Sequence, residues 1–315
     1  MNILQKTIAA VDTWQRRHPF TSFPYAVVKK YGEDEAGYQA ALLTYYGFLS
    51  LFPLLLVVTT VVTMLGGQHA ALQQTVTMAV SNYFPAFGDQ LSKVQTIHKS
   101  GVALVVGILF TLYGARGVAD AFRNGVNHIW QTPRAERVGF PMSIVKSLSI
   151  IAVGGIGFML ASISTGVAAG VGHGFLFRVL SIAVNLFILF WLFRILLNLA
   201  LPGKVPFRQT RSGAAAAAVG IVTLQFVGGL ILTRELKNLN AVYSIFALSL
   251  GLLFWIYLQA QTIYYAVEIA SVRSLKLYPR GMREDALTPA DKRVMTRQAR
   301  RERQIDAEAI DTKFG

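Results

Sequence analysis

Between Leu112 and Trp130 the chain reads LYGARGVADAFRNGVNHIW, where an apolar run suited to a membrane span acquires Arg116, Asp120, Arg123 and Asn127. At about 100° per residue, intervals of four, three and four place all of them on one narrow helical stripe. An Arg or Asp at the centre of a span costs roughly 2.5–3.5 kcal/mol on insertion scales. The stripe must therefore face protein or water, which requires other helices around it.

The rest of the chain supplies them. Its 315 residues are 53% hydrophobic and 15% charged, with a mean hydropathy of +0.46, too apolar for an ordinary soluble domain. The pattern predicts an all-α polytopic membrane bundle of six transmembrane helices, at about 39–65, 101–122, 144–171, 175–201, 213–233 and 242–270. Residues 66–100 hold no spanning run and read as one or two amphipathic helices outside the membrane. Three parts follow: an N-terminal cytoplasmic or interfacial segment, 1–38; the membrane domain, 39–271; and a charged cytoplasmic tail, 272–315. In the first, Leu4, Ile8, Val11 and Trp14 have helical spacing up to His18-Pro19. In the last, Thr288-Pro289 reads as an N-cap followed by proline at the first helical position, opening a helix to about Gln304. Its basic residues suit a solvated face or contact with anionic lipid.

Two other spans carry polar faces. In the first, Tyr46, Ser50 and Pro53 share a side, and Pro53 is expected to act as a hinge because proline lacks an amide hydrogen and crowds the preceding turn. In the sixth, Tyr257, Gln261, Tyr264 and Glu268 repeat the four, three, four spacing of the 112–130 stripe. These two stripes are expected to face each other, with any cargo site between them. Arg116 would then pair with Asp120 or Glu268 as a structural clamp, or the same residues would form the polar wall of a substrate cavity.

Of the 30 Lys and Arg, only Lys93, Lys99, Arg178, Arg234 and Lys237 fall on the outer side of a six-span arrangement with a cytoplasmic N-terminus. The positive-inside rule thus predicts both termini in the cytoplasm and the polar groups gathered in the inner half of the bundle. The net charge of +14 flanks apolar runs and gives no reason to expect nucleic acid as a partner. With no cysteine, thiolate metal sites and Cys nucleophiles are excluded. The five histidines, His18, His69, His98, His128 and His173, are scattered without metal-ligand spacing. No Walker motif occurs. No catalytic residue, metal or cofactor is expected, and any driving force would come from a gradient or a partner.

Four stretches together resemble the YihY/BrkB family, including its YhjD-type members: AALLTYYGFLSLFPLLLVV at 40–58, LYGARGVADAFRNGVNHIW at 112–130, LPGKVPFRQTRSGA at 201–214 and VYSIFALSLGLLFWIYLQAQTIYYAVEIA at 242–270. The resemblance implies a six-helix inner (plasma) membrane protein with cytoplasmic termini, associated with envelope integrity and, for YhjD-type members, with export of lipopolysaccharide precursors. The family's former label, ribonuclease BN, is regarded as mistaken. Relatives commonly read Gly-Ala-Glu where this chain has Ala266-Val267-Glu268, so the resemblance carries over only the Glu. The expected function is a transporter or flippase of an anionic amphiphile such as a lipid or envelope precursor, with anionic membrane lipids as partners. The alternative is a scaffolding protein that moves nothing.

Overall fold

His18-Pro19 ends one helix and begins the next, since proline's fixed φ and missing amide hydrogen suit a first helical position. In a computed structural model describing residues 3–64, 101–170, 175–235, 241–283 and 286–314, α1 spans Ile3–Arg17 and α2 spans Pro19–Glu33. Glu35, in a left-handed conformation at φ 50°, turns the chain into α3, Ala36–Met64. Then come α4, Gly101–Ile129; α5, Met142–Gly170; α6, Phe175–Ala200; α7, Arg211–Glu235; α8, Ala241–Ser274; and α9, Pro289–Arg301. Short 3₁₀ turns occupy Arg134–Glu136 and Phe207–Thr210, and no strand occurs among the described residues.

The six long helices α3 to α8 lie where the apolar runs predicted spans. Among the described residues, four stretches are long and apolar enough to cross a membrane: Met142–Ser164, Val179–Ala200, Phe207–Gly228 and Ser249–Ser274. α4 runs unbroken to Ile129, so the whole Arg116–Asn127 stripe rides on one helix. The expectation of helices at 66–100 lies outside the described residues. So do the α3 side chains beyond Leu51, including that of the expected hinge Pro53, although the helical backbone continues through it to Met64.

Small residues decide which faces meet. Gly114, Gly117, Ala121 and Gly125 form a second stripe on α4, on the far side from the charged one. A Cβ on Gly114 would lie 2.8 Å from the Ser50 Cβ, one on Gly117 would lie 2.4 Å from the Tyr46 ring, and one on Gly125 would lie 2.3 Å from the Tyr264 hydroxyl. Close backbone approach on small residues is the usual means by which membrane helices pack. At the α7–α8 contact, Ala214, Ala217 and Ala218 are buried, and a Cβ on Gly213 would lie 2.7 Å from the Ala266 carbonyl oxygen. A backbone atom cannot rotate aside, so Gly213→Ala is expected to force α7 from α8 at about 1–3 kcal/mol. Gly251→Ala, where a Cβ meets nothing within 4 Å, is the control and should leave thermal unfolding in detergent unchanged or slightly raised.

Leu148, Ile156 and Leu160 of α5 and Leu180, Val184 and Phe187 of α6 are exposed, an apolar outer surface suited to lipid. At one end of the bundle, α1, α2 and α9 fold together. Ala26 and Val27 pack with Val272, Leu277 and Val294, Arg16 donates to the Ala286 carbonyl at 3.0 Å, and the Met282 amide donates to Asp12 at 2.9 Å. The two ends of the described chain therefore meet on one side of the bundle. The helix expected from Thr288-Pro289 is present, with Thr288 and Asp291 forming a reciprocal capping box. It is not a freely solvated helix: Ala290, Asp291 and Val294 are buried against the end of the bundle.

Candidate functional site

In α2, Ala26, Val27, Lys30 and Tyr31 fall on one helical face, Asp34 at the C-cap continues it, and that face is buried. It carries Lys30 and Asp34 inward together with the apolar residues. α8 brings Glu268 against them, and all three charged side chains are 0% exposed. The Lys30 ammonium donates to Asp34 Oδ2, to Glu268 Oε2 at 2.9 Å and to the Ile129 carbonyl at the end of α4 at 2.6 Å. Gln131, held at φ 55° just past α4, donates its amide to Asp34 Oδ1 at 3.1 Å, and Gln298 of α9 donates to the same oxygen at 3.4 Å. Tyr31 stacks on Tyr265 with ring centroids 3.8 Å apart. Four helices thus converge on one buried ionic cluster. At its edge, His128 Nε2 accepts from the Arg301 guanidinium at 2.9 Å, and burial together with that guanidinium lowers its pKa, favouring the neutral ring.

The stripe on α4 lies elsewhere. Asp120 accepts from the Ser147 hydroxyl at 2.6 Å and from Arg123 at 3.1 Å. Arg123 also donates to the Ser143 carbonyl at 2.9 Å, and Asn127 to the Ala200 carbonyl at 2.8 Å. These partners belong to α5 and α6, so the expectation that the stripes of α4 and α8 face each other is corrected. The α8 stripe divides among other neighbours. Tyr257 lies beside Gly37, Gln261 neighbours Tyr31, Tyr264 donates to the Ala121 carbonyl at 3.2 Å, and Glu268 meets Lys30. The physical reason is the Gly114–Gly125 face of α4, which admits α3 and α8 and turns the charged stripe away. Of the two partners expected for Arg116, the structure gives Asp120 at 3.5 Å, with the Arg116 side chain 55% exposed. Tyr46 and Ser50 pack against Gly117 and Gly114, and Ser50 donates to the Gly47 carbonyl. Among the described residues, no three His, Asp or Glu side chains are grouped to hold a metal ion.

Residues 27–288 match the family described as virulence factor BrkB. The chain belongs to this family. It is also 26% identical over 284 residues to a UPF0761 membrane protein of Psychrobacter sp. (strain PRwf-1), an alignment covering 84% of this chain and 51% of the relative. The chain thus spans about half the length of that relative. No solved structure matches it. With a BrkB-family chain and its long apolar helices, membrane residence is established.

The BrkB match takes in Lys30, Asp34 and Glu268 but ends before Asp291, the centre of a second network. Asp291 is 1% exposed and accepts from Arg280, from Lys29 at 3.3 Å, from the amides of Gly281 and Thr288, each at 2.9 Å, and from the Thr288 hydroxyl at 2.6 Å. Arg280 Nη2 reaches both Glu33 oxygens, at 2.8 and 2.9 Å. Sequence reasoning missed both networks because it treated 1–38 as a cytoplasmic or interfacial segment and the tail helix as a solvated or lipid-touching face. The burial of Lys30 and Asp34 was signalled by their register with Ala26 and Val27; the partners of Asp291, apart from the nearby Thr288, were not signalled.

Proposed function

We propose that this chain is a bacterial inner-membrane protein that binds an anionic amphiphile, a lipid or envelope precursor, and moves it across the bilayer as a transporter or flippase rather than as an enzyme. It crosses six times with both termini in the cytoplasm. The interlocking of α1 with the segment before α9 supports this topology, because ends on one side of a bilayer require an even number of crossings. The distribution of Lys and Arg supports the orientation.

Arg116 carries the binding assignment. Its guanidinium is more than half exposed and held on one side by Asp120, while Leu112 and Tyr113 on the same helix are exposed as well. A guanidinium bordering exposed apolar surface suits a phosphate head group whose acyl chains lie along the helix, because it pairs phosphate bidentately. In vesicles reconstituted with the protein and a fluorescent phosphatidylglycerol analogue, Arg116→Gln is expected to slow lipid transfer roughly tenfold or more, the scale of a charged hydrogen bond of about 1.5–3 kcal/mol. Thermal unfolding should stay unchanged. An unaltered transfer rate removes Arg116 from the site.

A second reading has its own observation. Asp120, Arg123 and Asn127 already bind Ser147, Ser143 and Ala200, which is how polar groups join helices in a scaffold. Absence of lipid transfer by the well-folded parent protein would favour the scaffold.

A further inference from the structure

Charge in the α2–α8 cluster does not balance if every group takes its ordinary form. Lys30 spends all three N–H bonds, on Asp34, Glu268 and Ile129, which is the geometry of a charged ammonium. Both oxygens of Asp34 receive donors, from Lys30 on one side and from Gln131 and Gln298 on the other, as suits an ionised carboxylate. These two charges cancel. Glu268 is different: Oε2 meets Lys30, while Oε1 is buried without a hydrogen-bond partner among the described residues.

The other groups around the cluster supply no compensating charge to Glu268. From α2, Tyr31 faces it with a phenol whose pKa is raised first by burial. From the end of α4, Gln131 is neutral, and His128 is held neutral by burial and by Arg301. From α9, Arg297 donates to the Trp130 carbonyl at 3.1 Å and is drawn electrostatically to Glu136 before Asp34, so its charge is offset outside the cluster. On α8, Tyr265 stacks with Tyr31, and Ser271, one turn beyond Glu268, offers a buried hydroxyl with no partner among the described residues. Two carboxylates that share one ammonium in a fully buried site are not both neutralised by it, and a carboxyl so placed takes up a proton instead.

We propose that Glu268 is a proton-binding site that latches α2 to α8: it is a neutral carboxylic acid in the packed structure, and its release of a proton to water frees α2 and the cap that α2 shares with α1 and α9. The neutral acid adds no net charge to the Lys30–Asp34 pair. Loss of that proton leaves a carboxylate beside Asp34 with one ammonium between them, and hydration of Glu268 then favours separation of the helices. As a coupling ion for transport, the proton's use rests on the proposed lipid-moving activity. The latch itself does not.

The chain has no cysteine, so one introduced thiol reports on opening. Ser271→Cys is near-isosteric and places the thiol at a position 0% exposed. Its maleimide modification is measured on full-length protein in nanodiscs across acid to alkaline pH, each rate divided by that of a separate exposed reference variant, Ala309→Cys. The normalised rate is expected to rise with pH, by up to about tenfold per unit, the limit for one proton. Adding Glu268→Gln, a permanently neutral isostere, should hold it low throughout. A flat profile, or the same rise with Glu268→Gln, overturns the latch. Should either variant fail to fold, the unmodified protein still decides: its infrared difference spectrum between about pH 6, where ordinary carboxyls near 3.9–4.3 are already ionised, and alkaline pH should show a neutral carboxylic-acid C=O band replaced by carboxylate bands, and absence of that band overturns the proposal. Opening without lipid transfer would leave the latch standing and remove the transport function; transfer without a pH-dependent latch would do the reverse.

Discussion

Asp291→Ala is expected to detach α9 and leave the membrane helices assembled. The substitution removes the partner of Arg280, itself 1% exposed, and leaves that guanidinium with Glu33 alone. It also removes one half of the capping box at the start of α9 and an acceptor of Lys29. Breaking a buried ion pair costs about 3–5 kcal/mol, more than a short, strongly basic helix recovers from burying Ala290 and Val294. Limited proteolysis should then cut within 286–303 while the long helices persist by circular dichroism. Asp291→Asn keeps a side-chain oxygen for the Gly281 and Thr288 amides and should cost less. Acid should mimic the substitution in a defined direction. Burial opposes ionisation of Asp291, but the Thr288 hydroxyl, Arg280 and two backbone amides together hold its carboxyl well below the usual range. A carboxylate whose pKa is lowered on folding contributes its full stabilisation above its unfolded value, about 3.9, and loses it as the pH falls from there through the lowered value. Docking of α9 should therefore persist down to about pH 4 and weaken progressively below it. Protection of α9 that is independent of pH in that range would remove Asp291 as its anchor.

The six long helices were legible because hydropathy and length leave an apolar run of that size few alternatives. His18-Pro19 and Thr288-Pro289 were legible as helix boundaries for the equally local reason that proline favours a first turn and each follows a capping or helix-ending residue. Which faces meet was not legible from charge alone. Equal spacing on α4 and α8 suggested partners, but similar periodicity says only that each stripe lies on one side of its own helix. The orientation of α4 is set by Gly114, Gly117, Ala121 and Gly125, whose intervals of three and four were present in the sequence and carry the packing information. Small residues specify where backbones can approach, and the polar stripe takes the side that remains.

Burial of Lys30 and Asp34 was harder to read. A Lys-Lys pair followed by Glu33, Asp34 and Glu35 has the composition of a solvated helix end. Adjacent lysines nonetheless diverge by about 100°, and here Lys29 reaches Asp291 while Lys30 reaches Glu268. The Lys30 direction was available from its register with Ala26 and Val27. The partner was not, because Lys30 and Glu268 are joined only once the far end of the chain folds back onto the N-terminal helices.

Lys30→Met is expected to be the most damaging single substitution in the protein. It keeps the length of the side chain but removes the charge shared by Asp34 and Glu268 and the donor to the Ile129 carbonyl. Leaving a buried carboxylate uncompensated costs about 3–5 kcal/mol, a large part of a typical domain's net stability. The variant should therefore aggregate or be degraded, giving little monodisperse protein on size-exclusion chromatography. Asp34→Asn should be less harmful, since Lys30 then retains Glu268, which can ionise beside a single ammonium. Glu268→Gln should be milder still, because a neutral amide replaces a neutral acid and retains an oxygen for Lys30. The double variant Lys30→Met, Asp34→Asn should recover part of what Lys30→Met loses, as removal of both members of a buried pair is less costly than removal of one. This order separates two charge states that share the same atoms. If Glu268 were ionised in the packed structure, Glu268→Gln would discard a full charge from the cluster and fall alongside Asp34→Asn; a clear gap between the two locates the proton on Glu268.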